Sequence, residues 1–342
     1  MARFRSSLRK QTTTSLFLQW RDALKTARTI LLTLHHHPDG DSIASNLALA
    51  RILRLWGKRV TIVSHDSLPH QFSFLPGFTR IKRRVFWSSL NLQSFEAWIS
   101  LDTTAPSRAF PPNFSPPSSW RIYNIDHHIT NTYFGHFNLV DCAAASTCEI
   151  IARAARIWRV PLSASLATTL LTGVLTDSAG LLNTATTAET LRTAARLVEA
   201  GGNLAQIVLH VFRSIPPSFL KFWGEVLRRT KIMRQGKWRF AGACIPYRIW
   251  RSSRLTQASF AHEMAVNMFL AVIKNTDFGY LLTEIKPRIV RGSLRARAKV
   301  NVARIAQMLG GGGHAAAAGL TLEGKTIAEA ERELKRAIAR LG

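Results

Sequence analysis

Apolar positions fall into short blocks and longer helical rhythms. Residues 29–34 (TILLTL) form a brief apolar run that ends in the polar cluster HHHPDGD. Over residues 42–56, Ile43, Leu47, Ala50 and Leu53 recur at helical spacing, and Gly57 supplies a stop. Residues 59–63, 97–101 and 122–125 read as further strands, with a Pro/Ser-rich loop over 106–119 before the last of them. Helical spacing returns at 146–158, where Ser146 is a candidate cap, and at 163–175. Strands alternating with helices predict an α/β fold, a mostly parallel sheet with helices on both faces.

Farther on, Gly201-Gly202-Asn203 ends one helix and Ile215-Pro216-Pro217 breaks the next. From about Phe219 the texture changes. Residues 238–245 and 278–285 read as strands around a helix at 262–273. A strand at 293–299, a helix near 302–309, the run GGGGH and a last helix at 327–341 follow. The expected organisation is a first domain over 1–212, a linker over 213–222, and a smaller α/β domain over 223–342.

Composition narrows the classes. With 342 residues and 46% hydrophobic positions the chain can bury two ordinary cores. No apolar run reaches the roughly eighteen residues of a membrane span. The start MARFRSSLRKQTTTS is basic but lacks an apolar signal core, and reads as disordered rather than as a targeting segment. Three cysteines (Cys142, Cys148, Cys244) without a CxxC pair argue against disulfides or a zinc knuckle. They fit a reducing cytoplasm as buried small hydrophobes. Forty-six Lys/Arg against twenty Asp/Glu give a net charge of +26, which favours a polyanionic partner such as nucleic acid.

Against that basic background, the acids are concentrated. His35, Asp39 and Asp41, then Asp102, then Asp126-His127-His128, then Asp177 form four clusters, each read as lying just past an apolar strand. Ligands of open parallel sheets gather beyond the carboxyl ends of the strands, so these residues can converge. Each acid taken singly has a bland explanation: Asp41 as a helix cap, Asp102 as a turn former, His36 or His37 as surface residues. Five of twenty acids arranged in this order are hard to explain by solvation. A mixed carboxylate and imidazole set suits Mn²⁺. Two such ions close together activate water and stabilise the leaving oxygen of an in-line displacement.

The motifs are specific in combination. HHHPDGDSIASNLAL, SLDT at 100–103, IDHH at 125–128 and TGVLTDS at 172–178 resemble the four motifs of the DHH phosphoesterase superfamily. GSLRAR at 292–297 and GGGGHAAAAGL at 310–320 resemble its DHHA1 module. The two-domain length is similar to that of oligoribonuclease/pAp phosphatases of the NrnA type (pAp is 3′-phosphoadenosine 5′-phosphate); RecJ exonucleases share the modules but are usually longer. The resemblance implies one metal on His35, Asp39 and Asp102, and a second on Asp41, Asp102, His127 and Asp177, with Mg²⁺ as the alternative to Mn²⁺. It implies His128 at the scissile phosphate, Asp126 orienting the histidines, and Asn131 near the phosphate. Ser178 stands where the family usually has Thr, and the His triplet departs from its common pattern, with the register to Pro38 favouring His35 as the ligand.

Ser293, Arg295 and Arg297 alternate along a strand and share one face. Ser293 and Arg295, with Gly311, Gly312, Gly313 and His314, are the expected substrate-binding set, the glycines letting backbone amides approach a phosphate. By composition alone the glycine run reads as a flexible linker. The expected activity is exonucleolytic hydrolysis of short single-stranded RNA or DNA, with pAp as a further substrate, no membrane partner, and a homodimer as a compatible assembly. Single-strand DNA exonuclease, dinucleotide hydrolase and catalytically weak nucleic-acid binder are the alternatives.

Overall fold

The computed structural model describes residues 14–111, 114–183, 185–255, 258–297, 300–313 and 315–341. The basic residues 1–13 and His314 lie outside these. Among the described residues, no helix is long and apolar enough to cross a membrane. The chain divides into two compact units, Met1–Ser214 and Ile215–Gly342.

In the first unit, helix α1 (residues 14–23) precedes β1 (Thr29–Thr33), α2 (Gly40–Leu55), β2 (Arg59–Val63), β3 (Ala97–Leu101), β4 (Arg121–Asp126) and β5 (Phe137–Val140). Helices α3 (Thr147–Ile157), α4 (Ala164–Asp177), α5 (Ala188–Glu199) and the short α6 (Leu204–Ile207) follow. The five strands form one parallel sheet in the order β2-β1-β3-β4-β5. Strand β3 is buried along its whole length and β1 nearly so, as their unbroken apolar sequences require of central strands. Because the order reverses at β1, the crevice beyond β1 and β3 is the topological switch point.

One face of the sheet packs on α2, α3 and α4 through Ile43, Leu47, Ile150, Leu170 and Val174. Gly173 makes this packing close. A Cβ there would fall on Cys148 Sγ and within 2.6 Å of Asp41 Oδ1. The other face is covered by short helical turns, with Trp87, Trp98, Phe110 and Trp120 forming a separate core. Of the cysteines, only Cys148 is fully buried; Cys142 is exposed and Cys244 half-buried, so the expectation of three buried cysteines holds for one.

In the second unit, α7 (Pro217–Arg229), β6 (Lys231–Gln235), β7 (Trp238–Ile245), α8 (Tyr247–Ser253), α9 (Ala258–Ala265), β8 (Phe278–Lys286) and β9 (Ile289–Ala296) come first. Then come α10 (Val302–Gln307), β10 (Gly312–Gly313), β11 (Ala317–Glu323) and α11 (Ile327–Leu341). The sheet order is β10-β11-β9-β8-β7-β6, antiparallel except for β7 beside β8. One face packs on α10 and α11 through Tyr280, Leu282, Leu294 and Leu334; the other packs on α7 and α9 through Phe219, Trp223, Ala261 and Leu281.

The expected linker 213–222 is shorter than the sequence suggested. Pro217 sits in the first turn of α7, where its missing N–H costs nothing, and Phe219, Phe222, Trp223 and Val226 bury one helical stripe. Nor is the glycine run a flexible linker. Gly312 pairs with Gly319 and Gly313 with Ala318, so the run forms a sheet edge. A Cβ on Gly311 would overlap the Gly319 carbonyl, which explains a glycine at that position.

Candidate metal centre

Three strand ends and one helix end supply the site. His35, Asp39 and Asp41 lie on the connection from β1 into the first turn of α2, Asp102 follows β3, Asp126 ends β4 with His127 and His128 beyond it, and Asp177 ends α4. Asp39, rather than Asp41, is the N-cap of α2, accepting from the Ser42 N–H at 3.0 Å. This leaves Asp41 one turn in, where α3 takes hold of it. The backbone N–H groups of Thr147 and Cys148 donate to its two oxygens at 2.6 and 3.0 Å. Ser146 caps α3 by accepting from Glu149 N–H, as its position suggested.

Asp102 occupies the centre. Its backbone is left-handed (φ 55°), a conformation that Asp tolerates better than most residues, and its carboxylate is almost wholly buried. Oδ2 lies 3.4 Å from His35 Nε2, while Oδ1 lies 3.4 Å from His127 Nε2 and 3.6 Å from His128 Nδ1. His35 Nε2 is also 3.8 Å from Asp39, and His127 Nε2 is 3.3 Å from Asp177. Ligand atoms of His35, Asp39 and Asp102 thus gather within 4.8 Å, as do those of Asp41, His127 and Asp177. Asp102, Asp126, His127 and His128 make a third such group.

Asp126 orients the histidine pair. Its Oδ1 accepts from the backbone N–H groups of His127 and His128 and lies 2.7 Å from His128 Nδ1. Asn131 holds the other oxygen at 2.6 Å and also donates to Asn124 and to the Thr103 carbonyl, while its own oxygen accepts from Tyr133 N–H. Asn131 is therefore turned inward. Its amide braces Asp126.

Residues 29–174 match the family model of the DHH family, N-terminal domain, and residues 260–341 match that of the DHHA1 domain. The bifunctional oligoribonuclease and PAP phosphatase NrnA of Thermus thermophilus is 32% identical over 90% of this chain and 89% of its own. The chain belongs to the DHH family. A probable bifunctional oligoribonuclease and PAP phosphatase NrnA of Streptococcus mutans is 24% identical over 86% of this chain and 90% of its own. The fold is that of an exopolyphosphatase-related protein from Bacteroides fragilis, with TM-score 0.83 and 24% identity over 97% of this chain and 98% of that one. As a DHH protein the chain is a hydrolase acting on phosphate esters, and its family depends on divalent metal.

The residues present in this DHH site fit such an ion. His127 Nε2 is buried and has no hydrogen-bond partner among the described residues, a costly state unless something else accepts its lone pair. His35 Nδ1 lies 2.9 Å from the His36 carbonyl, a donor bond that turns Nε2 toward the acids. Protons stand where a cation would. Burial, then the negative charges of Asp102 and Asp177, holds the Asp41 carboxyl well above the usual carboxylate range. Burial, reinforced by Asp102 and Asp39 and opposed by His127, pushes Asp177 up to about 7. Burial opposes charge on His35 and His127, yet their acidic neighbours raise both well above the usual imidazole range. Asp102 goes the other way: burial opposes its ionisation, but His127 and His35 hold it well below its ordinary value.

Several positioning residues escaped the sequence reading. Thr147 fixes Asp41 through its N–H, and its hydroxyl reaches Asp102 at 3.5 Å; Gly173 lets α4 come close enough to keep Asp41 in place. The small-residue stretch AAASTCE before α3 was the available signal. In the second unit, Ser293 pairs with Gly319, which pairs with Gly312. Ser293, Arg295 and the glycine run are therefore neighbours across three strands, while His314 lies outside the described residues.

Proposed function

We propose that the chain is a two-metal, Mn²⁺-using exonuclease that removes mononucleotides from short single-stranded oligonucleotides and also dephosphorylates pAp. The observation that carries this reading is the division of Asp102: one oxygen beside His35, the other beside His127. One ion would be held by His35, Asp39 and Asp102, and the other by Asp41, Asp102, His127 and Asp177. When bound, they supply Lewis-acid charge and an activated water for attack on phosphorus. The chain's own residues supply the rest. His128, fixed by Asp126, donates a proton to the phosphate oxygens or the leaving group. Asp126 and Asn131 act only through the histidines. Ser293, Arg295 and the Gly311–Gly313 edge bind the substrate's phosphates, where Gly312 leaves open space above its Cα.

The two NrnA relatives support oligoribonucleotides and pAp as substrates. The test is hydrolysis by purified protein with Mn²⁺, Mg²⁺ or Ca²⁺ of labelled dinucleotides, pentanucleotides and long strands of RNA and DNA, with pAp in parallel. Short strands and pAp should be hydrolysed, with Mn²⁺ best and EDTA abolishing turnover. Preference for long DNA would assign a single-strand DNA exonuclease instead. Inactivity on every phosphate ester would leave only a nucleic-acid binder.

A further inference from the structure

Away from the metal centre, the first unit carries a second concave surface. A cavity of about 450 Å³ is formed by the C-terminal half of α3, the connection into α4, and α5. The first two contribute Arg153, Arg156 and Arg159, α5 contributes Arg196, and no acidic residue lines the cavity. Its apolar lining includes Val160 and Leu197, both buried, whereas Arg156, Arg159 and Arg196 are exposed. The cavity is therefore apolar within and cationic toward solvent. Two of the arginines are tied down by acids outside it: Arg153 pairs with Asp141 at 2.6 Å, and Arg196 with Glu189 at 3.3 Å. The side chains of Arg156 and Arg159 have no hydrogen bond or ion pair among the described residues. A cation in the last turn of a helix complements the carbonyl ends there, which accounts for Arg156 on α3 and Arg196 on α5. It does not account for Arg159, which stands beyond α3 with a left-handed backbone (φ 56°), where glycine is the favoured residue.

We infer that this cavity is a second nucleotide site, taking the phosphate of a nucleoside monophosphate on Arg156 and Arg159 and its base on the apolar interior. With four cations and no acid around it, the cavity needs a ligand that brings negative charge. Guanidinium forks match phosphate oxygens bidentately, and their planar faces stack on bases. Inorganic phosphate would satisfy the arginines and leave the apolar interior wet. The volume suits one small organic molecule rather than a folded partner. A membrane contact would push apolar side chains outward, and here Val160 and Leu197 are recessed. The site is separate from the metals. Residues Thr147 and Cys148 of α3 hold Asp41, and Arg156 lies nine residues beyond Thr147, roughly 14 Å along the helix. It does not depend on what the metal centre hydrolyses.

The test is calorimetry of 5′-AMP, adenosine and inorganic phosphate on the full-length, Mn²⁺-loaded protein. AMP should bind wild type with one more component than it binds a double variant carrying Arg156→Gln and Arg159→Gln. Both positions are exposed, so the double variant should keep the wild-type Tm and the wild-type turnover of a dinucleotide. Arg159→Gly alone is the stricter variant. Glycine suits the left-handed backbone, so its Tm should stay close to wild type while the extra component weakens roughly tenfold, as for one charge-assisted contact. Adenosine and inorganic phosphate should each lack this component, since each carries half of what the cavity recognises. Phosphate matching AMP would reduce the cavity to a generic anion patch, and adenosine matching AMP would remove the arginines from recognition; either overturns the inference. So does an AMP isotherm unchanged in the double variant. Capture by phosphatidic acid vesicles without binding of free AMP would make the cavity a membrane contact, and overturns it as well.

Discussion

The first unit buries acids and the second buries neutral polar groups beneath arginines. At the switch point of the parallel sheet, Asp41, Asp102 and Asp177 crowd together, and the site is relieved by protons or by cations. On the α9 side of the mixed sheet, His262 and Thr283 are buried with no hydrogen-bond partner among the described residues. Each unit thus leaves a cost unbalanced within its own fold.

The sharpest way to break this contrast is to remove the carboxylate that serves both metal clusters. Asp102→Asn retains a residue that tolerates the left-handed backbone, so the fold should persist where Ala would add strain. Turnover of a dinucleotide should nevertheless fall by several orders of magnitude, with metal content measured on the same sample falling too. Near-normal turnover would remove Asp102 from the mechanism.

A second measurement sharpens the other side. His262 is neutral in the fold down to about 3, whereas in the unfolded chain it protonates near its ordinary value of 6.5. Between these values the unfolded state binds the extra proton, so stability is lost as pH falls through this window. Relative to wild type, His262→Gln should lack a loss on the order of 3 kcal/mol between about pH 7 and about pH 4. Hydrogen exchange of the β8 and β9 amides reads this in the second unit alone. Parallel slopes in the two proteins would show that His262 protonates freely within the fold.

The smallest expected effect is on affinity. Arg295→Ala should raise KM for oligonucleotides by about tenfold, as for one charge-assisted contact, and leave a generic phosphodiester nearly unchanged. Equal damage to both substrates would mean that Arg295 supports the metal site rather than the substrate.

Much of this was legible in the chain because the first unit mounts its ligands within a few residues of apolar strands. The runs ending at Leu34, Leu101 and Ile125 announce where the side chains of His35, Asp102 and His127 emerge. Long-range bonding could not. Asp41 is fixed by amides more than a hundred residues away, and the bonds from the Asn131 amide to Asn124, Thr103 and Asp126 leave no mark on the sequence pattern. In the second unit, β6 lacks alternation because it is an exposed edge, and α8 has no side-chain cap to signal its start. The helix expected at 262–273 begins at Ala258 and ends in a wider π turn, Val266–Leu270, a change of pitch that periodicity does not reveal.

Helix α4 delivers Asp177 from its last turn, and α3 delivers the amides that hold Asp41. During synthesis, a chain that has extended only through β5 possesses His35, Asp39, Asp41, Asp102 and His127. It has neither the anchor of Asp41 nor the final ligand. Ion capture at full affinity must wait until α3 and α4 dock, since the contributing residues span most of the first unit. Once captured, an ion stabilises only the completed arrangement, by an amount set by its concentration relative to its dissociation constant. An ion at this site would therefore bind the completed fold, and not the partial chain, at full affinity.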